Sequence, residues 1–452
     1  MQNKYRLLLI GIIISAMPAS VFAQAVPDTS NKTLTLQQCV TFALKNQPTV
    51  RQSAIDEAIN ERNIRISLSA WLPQVSSSAL YDYYFKGSPV TSTGGSSTPA
   101  SPTSTTSNIN NFSTLGLQAN QVIYNNDVLQ AAKAAKYSRQ YYKQNTTSSQ
   151  INVVSDVSKA FFDVLLSQKQ LDILNQDITR LQRSLKDAYS RYQAGASDKT
   201  DYKQATIALN NSIAARKQTE EAIKSKTAYL KQIMGLGAEA QIALSYDSAR
   251  YETEAIIDTN QQLDYNKRIE YQLLQTQKNL NEVNVNYYRY GFLPSVSATA
   301  AYNLVYLSNS FSNLYNNNYP NGYVGLTLNL PIFQGTKRLQ NLSKARLEVD
   351  RNDLDITNAK NTINTEYVEA LSSYKSNYTN WQLLRQNTSL AGDVYKVVSL
   401  QYREGIKTYL DVIIAQADLR TAELNYYNAL FQLLSARIDL QKALGTLNVP
   451  QN

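Results

Sequence analysis

Apolar and polar positions along this chain switch period several times. Over 75–85, Val75, Ala79, Tyr81, Tyr83 and Phe85 fall on one face and Ser76, Ser78 and Asp82 on the other, the two-residue period of a strand. Over 112–124, Leu115, Leu117 and Ala119 alternate with Gly116, Gln118 and Asn120, which predicts a return strand. The same signature recurs at 296–306, where Val296, Ala298, Ala300, Tyr302, Leu304 and Tyr306 alternate with smaller or polar residues, and again at 324–330, closed by Pro331. Between strands 75–85 and 112–124, Gly87–Asn111 is rich in Ser, Thr, Pro and Gly; between the second pair, Leu307–Asn321 is rich in Asn, Ser and Tyr. Both stretches are predicted as exposed, mobile loops without a core.

Elsewhere the period is helical. An opening helix is predicted over 36–71, ended by Pro73. From Asn125 to Gln193 there is neither Pro nor Gly, enough for a helix of about 100 Å. Within it Leu171, Leu174, Ile178, Leu181, Leu185, Ala188 and Tyr192 step 3-4-3-4-3-4, the spacing of a coiled-coil seam. A counterpart runs from Gly335 to Arg403, and Leu424, Tyr427, Phe431, Leu434 and Ile438 give a last helix the same stepping. A helix this long has no single globular core to fold onto, so its apolar stripe needs neighbouring long helices.

The pattern is written twice. Tyr192-Gln193-Ala194-Gly195 returns as Tyr402-Arg403-Glu404-Gly405, Asp201 as Asp411, and Met234-Gly235-Leu236 as Leu444-Gly445-Thr446; Trp71-Leu72-Pro73 matches Phe292-Leu293-Pro294. The first repeat is placed at 34–236, a joint at 237–255, the second repeat at 256–447 and a short tail at 448–452. Each repeat reads helix, strand, strand, long helix, helix.

Composition narrows the chemistry. The 452 residues contain no His and one Cys, which excludes a Ser-His-Asp triad, a Cys-His dyad, an HExxH zinc site and an internal disulfide. No catalytic, cofactor-binding or metal-binding set is predicted; the acids are scattered and do not converge on a site. The formal charge of +9 is spread among interleaved acids, a solvated surface that predicts no nucleic-acid partner. Cys39 reads as a half-buried helix residue with no reactive role. The 32 Tyr suit borders between apolar and wet surroundings, and Tyr81, Tyr83, Tyr302 and Tyr306 read as membrane-interface anchors.

Residues 1–23 read as an export signal, with Lys4 and Arg6 before the apolar Leu7–Met17 and a Val21-Phe22-Ala23 cleavage site. The remainder has no apolar run of about 20 residues, hence no predicted transmembrane helix. The four strands are long enough to cross a bilayer at barrel tilt. Four cannot close a barrel, since small barrels need about eight, and an open edge in lipid leaves N–H and C=O groups unpaired. Several chains must share one barrel; two give eight strands and three give twelve, and arithmetic alone leaves both open.

At this point the chain resembles the TolC-like outer-membrane efflux proteins. The carriers are the Leu72-Pro73 and Leu293-Pro294 junctions, Leu330-Pro331-Ile332-Phe333, the Tyr-x-x-Gly turns, and the opening stretch Leu34 to Pro48. The resemblance implies a mainly α fold with a transmembrane β part. In it a homotrimer pools four strands per protomer into a twelve-stranded β-barrel in outer-membrane lipid, and the coiled-coil-like helices form an α-barrel through the periplasm. It implies an exit duct for a tripartite efflux or type I secretion system, working with a periplasmic adaptor and an inner-membrane pump, with no cofactor and no enzymatic activity. The joint at 237–255 would lie in an equatorial belt. Cargo and pump type are not legible.

The same resemblance places a gate at the helical tip. Thr200 and Asp201 resemble the pair that links the gate, Tyr402 and Lys407 resemble their partners, and Asp411 resembles one member of a selectivity ring. Lys407 stands in place of an Arg, which loses a bidentate pair, and Ile414 stands where a second acid is expected, leaving one carboxylate ring. A plainer reading covers the same residues: Asp198-x-x-Asp201 and Thr408-x-x-Asp411 both read as capping boxes. One residue can serve both roles. The rival reading of the whole chain is a periplasmic coiled-coil adaptor or scaffold without a pore, which explains the helices but not four alternating strands.

Overall fold

The computed structural model describes residues 33–86, 109–245 and 248–450. The export signal and most of the first inter-strand loop lie outside these residues. The described chain is mainly helical. In order it comprises β1 (Thr33–Leu34), α1 (Leu36–Asn46), α2 (Pro48–Leu68), β2 (Gln74–Tyr83), β3 (Asn111–Tyr124), α3 (Asn126–Gln193), α4 (Lys199–Met234), β4 (Ala243–Leu244), α5 (Ser248–Glu254), α6 (Ile269–Arg289), β5 (Ser295–Ser308), β6 (Asn318–Asn329), α7 (Lys337–Arg403) and α8 (Tyr409–Leu444).

The predicted opening helix is two helices. Gln47 has ψ 124°, the extended backbone that a following proline imposes. Pro48 then occupies the first turn of α2, where its missing N–H costs nothing, and the Gln47 side chain accepts from Thr49 N at 2.9 Å. Upstream, Thr35 and Gln38 close a reciprocal capping box on α1.

The long helices α3 and α7 have 68 and 67 residues. Helices α2 and α4 lie end to end beside α3, while α6 and α8 both contact α3 and α7. Both end-to-end junctions use a glycine. Gly235 (φ +74°) and Gly445 (φ +69°) end α4 and α8 in left-handed geometry, and a Cβ on them would stand 2.7 Å from Asn46 O and 2.6 Å from Lys267 O. Only glycine combines that φ with so close an approach.

The main core sits midway along the helices. Phe161, Phe162 and Leu165 of α3 meet Leu430, Leu433 and Leu434 of α8, Tyr374 and Trp381 of α7, and Cys39, Val40, Ala43 and Leu44 of α1. Cys39 is fully buried rather than half-buried; α1 turns it into this core, and burial pushes its thiol up to about 12. Strand β1 pairs in parallel with β4. The Tyr374 hydroxyl donates to Ala255 O and accepts from Ile257 N, at 3.0 and 2.9 Å. The stretch between the repeats is thereby fastened across α7.

The four long strands form one antiparallel sheet in the order β2-β3-β5-β6. Strand β6 starts before the predicted 324–330 and runs through Pro320, which lies near its start and, within one chain, on an edge strand, positions where proline is tolerated. The loop it shares with β5 is correspondingly short. Contrary to the expectation of a coreless, wholly exposed loop, Leu314 is fully buried there. Phe311 stands edge-on to Tyr81 at 5.6 Å, Tyr315 packs on Tyr306 at 5.1 Å, and the Tyr315 hydroxyl donates to Ser113 Oγ at 3.4 Å.

Candidate channel surfaces: the sheet and the helical tip

The sheet has two unlike faces. Its register aligns Val75, Ala119, Ala300 and Val324 in one row and Ala79, Leu115 and Leu304 in another. Tyr302, Leu326 and Leu328 extend this apolar face, where Val324 and Leu326 are 85% and 75% exposed. The opposite face aligns Ser78, Gly116, Asn303 and Asn321, with Gln118, Asn120, Thr299 and Thr327. Gly116 leaves room for the Asn303 side chain: a Cβ would stand 2.5 Å from Asn303 Oδ1 and 3.2 Å from Ser78 Oγ. The Asn303 amide therefore lies flat across the sheet.

Both helical turns at the far end have the same construction. Gly195 (φ +72°) and Gly405 (φ +76°) donate to Tyr192 O and Tyr402 O, and Ala196 and Ile406 donate to Arg191 O and Gln401 O. The helices that follow are capped differently. Thr408 and Asp411 form a full capping box, with Thr408 N and Oγ1 donating to Asp411 Oδ2 at 2.9 and 2.8 Å and Asp411 N donating to Thr408 Oγ1 at 3.3 Å. On α4, Asp198 accepts from Thr200 N and its hydroxyl, a simple N-cap; Asp201 N donates to the Asp198 carbonyl, and the box predicted there is not made. The hydroxyl and backbone N–H of Thr408 hold the Asp411 carboxyl below its ordinary value. Burial, reinforced by the charge of Asp198, raises that of Asp201.

Within one chain the candidate gate residues fall into two groups. Thr200 is engaged by Asp198, while Lys407 lies 3.9 Å from Asp411 in a half-exposed pair of small energetic weight; no bond joins Lys407 to Thr200 among the described residues. Tyr402 reaches the first hairpin. Its ring packs on Tyr409, which with Ala188 and Ala205 forms a small buried cluster, and the Arg191 guanidinium lies 4.7 Å from its centroid. The Tyr402 hydroxyl is buried without a hydrogen-bond partner. Burial raises the Tyr402 and Tyr409 phenols, and the charge of Asp201 adds to this. Among the described residues no group of three or more metal-ligating side chains occurs, and no helix is long and apolar enough to cross a membrane.

A family model described as outer membrane efflux protein matches residues 40–236 and 259–446. The chain belongs to the outer membrane efflux protein family. The outer membrane protein TolC of Vibrio cholerae is 24% identical over 336 residues, covering 70% of this chain and 72% of the relative. The probable efflux pump outer membrane protein TtgC of Pseudomonas putida is 22% identical over 422 residues, covering 91% and 82%. Among solved structures the fold is similar to CusC (TM-score 0.73, 16% identity, 94% of this chain and 95% of that one) and to VceC of Vibrio cholerae (TM-score 0.69, 16% identity, 91% and 96%). This outer membrane efflux protein is therefore a transport protein of the outer membrane.

In this efflux protein the periodicity of the sequence missed a buried polar network above the tip. Asp177 of α3, 1% exposed, accepts from Ser212 of α4 and from Gln416 of α8, both at 2.8 Å, and from Arg420 at 3.2 Å. Arg420 also donates to Ser212 at 2.9 Å. The only trace in the sequence is a carboxylate directly beside the seam residue Ile178. Arg191 and Tyr409 escaped for a similar reason, since each faces the other hairpin and not its own seam.

Proposed function

We propose that three copies of this chain close their sheets into a twelve-stranded barrel and pack their helices into a continuous duct. The observation that carries this is the four-stranded sheet itself, apolar on one face and polar on the other, with β2 and β6 as unpaired edges. In lipid those edges must pair, and β6 of one copy against β2 of the next supplies the partner. The apolar rows from Val296 to Leu304 span roughly 27 Å along the strand, or about 20 Å at barrel tilt, close to the apolar band of outer-membrane barrels. An eight-stranded barrel would be filled by its own side chains, so an open lumen favours three copies over two.

The helices carry the same demand. Leu347, Leu354 and Val368, then Leu383, Leu390 and Val397, recur along α7 at multiples of seven residues and are more than half exposed. Ile55, Ile59 and Ile66 on α2 and Ile207 on α4 are exposed as well. A second copy brings these stripes together. A scaffold without a pore would leave the apolar sheet face in water.

The duct serves as the outer-membrane exit of a tripartite efflux or secretion system, fed by a periplasmic adaptor and an inner-membrane pump; relatives named as efflux pump components support this. At the tip, Asp411 forms a ring of three carboxylates that favours cations, and Thr200, Asp201, Tyr402 and Lys407 restrain the mouth. The test is the mass of the detergent-purified protein together with planar-bilayer recording. A trimer with discrete, cation-selective conductance is expected. A monomer without a pore would refute the duct.

A further inference from the structure

The barrel part of this chain is almost free of charge. Between 72 and 126 the only Asp, Glu, Lys or Arg are Asp82 and Lys86, and between 290 and 336 there is none. Asp82 is the single such residue on the four long strands. Its place is fixed by register. It pairs with Phe112, which pairs with Leu307, and strand alternation puts it on the face of Ser76 and Ser78. The next row on this face is Leu80, Thr114, Val305 and Tyr319. The polar face thus ends, at the loop side of the sheet, in an apolar collar with one carboxylate in it. The Tyr84 hydroxyl donates to Asp82 Oδ2 at 3.3 Å.

Lys86 is placed differently. The last strand-like bond on this side is Tyr84 N to Asn110 O, and Lys86 lies beyond it, exposed and without an ion pair among the described residues. A charge in open water is screened within about 8 Å at physiological salt. A charge on a narrow apolar wall acts across the lumen with less screening.

We infer that Asp82 sets the ion preference of the barrel end of the duct, with Lys86 as a weaker opponent. The inference rests on the reading that three sheets close with their polar faces inward. Three Asp82 carboxylates then ring the outer mouth inside an otherwise uncharged barrel, so cations are favoured at the exit and anionic solutes meet a barrier that no neighbouring cation on the strands offsets.

The test is reversal potential in planar bilayers under a tenfold KCl gradient, dilute on the barrel side. The helical part cannot cross the bilayer, so the side of addition fixes the orientation. Measurements are made in the Asp411→Asn background, which silences the tip ring. Asp82→Asn is expected to lower the cation-to-anion permeability ratio about twofold or more, Lys86→Gln to raise it, and both shifts to fade near 1 M salt, where screening falls to about 3 Å. Asp82→Glu should keep the ratio, which separates charge from misfolding. A ratio unmoved by Asp82→Asn in an intact trimeric pore would overturn this inference while leaving the duct standing. Failure of the parent protein to form any pore would overturn the duct and the inference with it.

Discussion

Asp177 on α3 and Gln416 on α8, 239 residues apart in sequence, share a 2.8 Å hydrogen bond inside the helical wall. With Ser212 and Arg420 they tie three helices together at one level. Removing only the carboxylate strips Arg420 of its counter-ion, leaving it the Ser212 hydroxyl alone, and takes from Ser212 and Gln416 their shared 2.8 Å acceptor. Asp177→Ala should therefore destabilise by about 3 kcal/mol. Asp177→Leu combined with Arg420→Leu should cost less than Asp177→Leu alone, because no stranded charge remains. Thermal denaturation of the assembled protein measures both. Equal losses in the single and double variants would show that the network adds packing only.

Four glycines have positive φ just past helix C-termini, but only two meet backbone. Gly195 and Gly405 have open space where a Cβ would go, while Gly235 and Gly445 face Asn46 and Lys267 carbonyls. Alanine at 195 or 405 should cost about 1 kcal/mol, the left-handed penalty alone. Alanine at 235 or 445 should cost at least twice that, because the end-to-end helix junction has to open. Comparing melting temperatures of the four variants tests the ranking.

The contact of Gly116 with Asn303 predicts a coupled pair. Gly116→Ala forces the Asn303 amide off the sheet and into the lumen, which should lower single-channel conductance. Asn303→Ala alone should change it little, and added to Gly116→Ala it should restore it. Non-additivity of this kind is expected only for groups in direct contact. Additive effects in bilayer recordings would place the amide elsewhere.

The two tip acids should titrate apart, Asp201 before Asp411 as pH falls. Asp201 is raised by burial and Asp198, so it protonates first as pH falls. Its contribution to stability is full below the ordinary Asp value of about 3.9 and is lost as pH rises through its higher folded value. Asp411 is lowered by Thr408, so its contribution is present above about 3.9 and is lost only as pH falls through its lower folded value. Cation preference due to Asp411 should thus outlast pH 4. Thr408→Ala should raise the pH at which it disappears. Loss of preference at the same pH in both proteins would detach selectivity from Asp411.

Much of this architecture was legible because it is local. Period-two runs such as Val296–Tyr306 and the long Pro- and Gly-free stretch before Gln193 announce their elements directly. The break at Gln47-Pro48 was legible in principle, since Pro restricts the residue before it, but the surrounding helical period concealed it. Strand β6 was cut short because the Asn-, Ser- and Tyr-rich stretch 307–321 reads as loop by composition, whereas its pairing back to Asn318 is set by β5. At the tip the capping pattern of Thr408 and Asp411 was readable from spacing. The Asp177 network and the Arg191–Tyr402 contact were not, because each joins residues from different repeats.

If Tyr402 restrains the tip as proposed, that contact sets the way it does so. A restraint through its hydroxyl would make Tyr402→Phe leaky. The hydroxyl, however, is buried without a partner, and such a group destabilises by about 1–3 kcal/mol, so its removal should leave the closed conductance unchanged and stability equal or slightly higher. The ring is what meets Tyr409 and the Arg191 guanidinium. Tyr402→Ala should therefore raise conductance, and Arg191→Gln should raise it to a lesser degree, since a cation–π contact at a partly exposed site contributes about 1 kcal/mol. Single-channel recording of the three variants separates the two mechanisms: a leaky Tyr402→Phe would return the restraint to the hydroxyl and to Asp201, whose charge it feels.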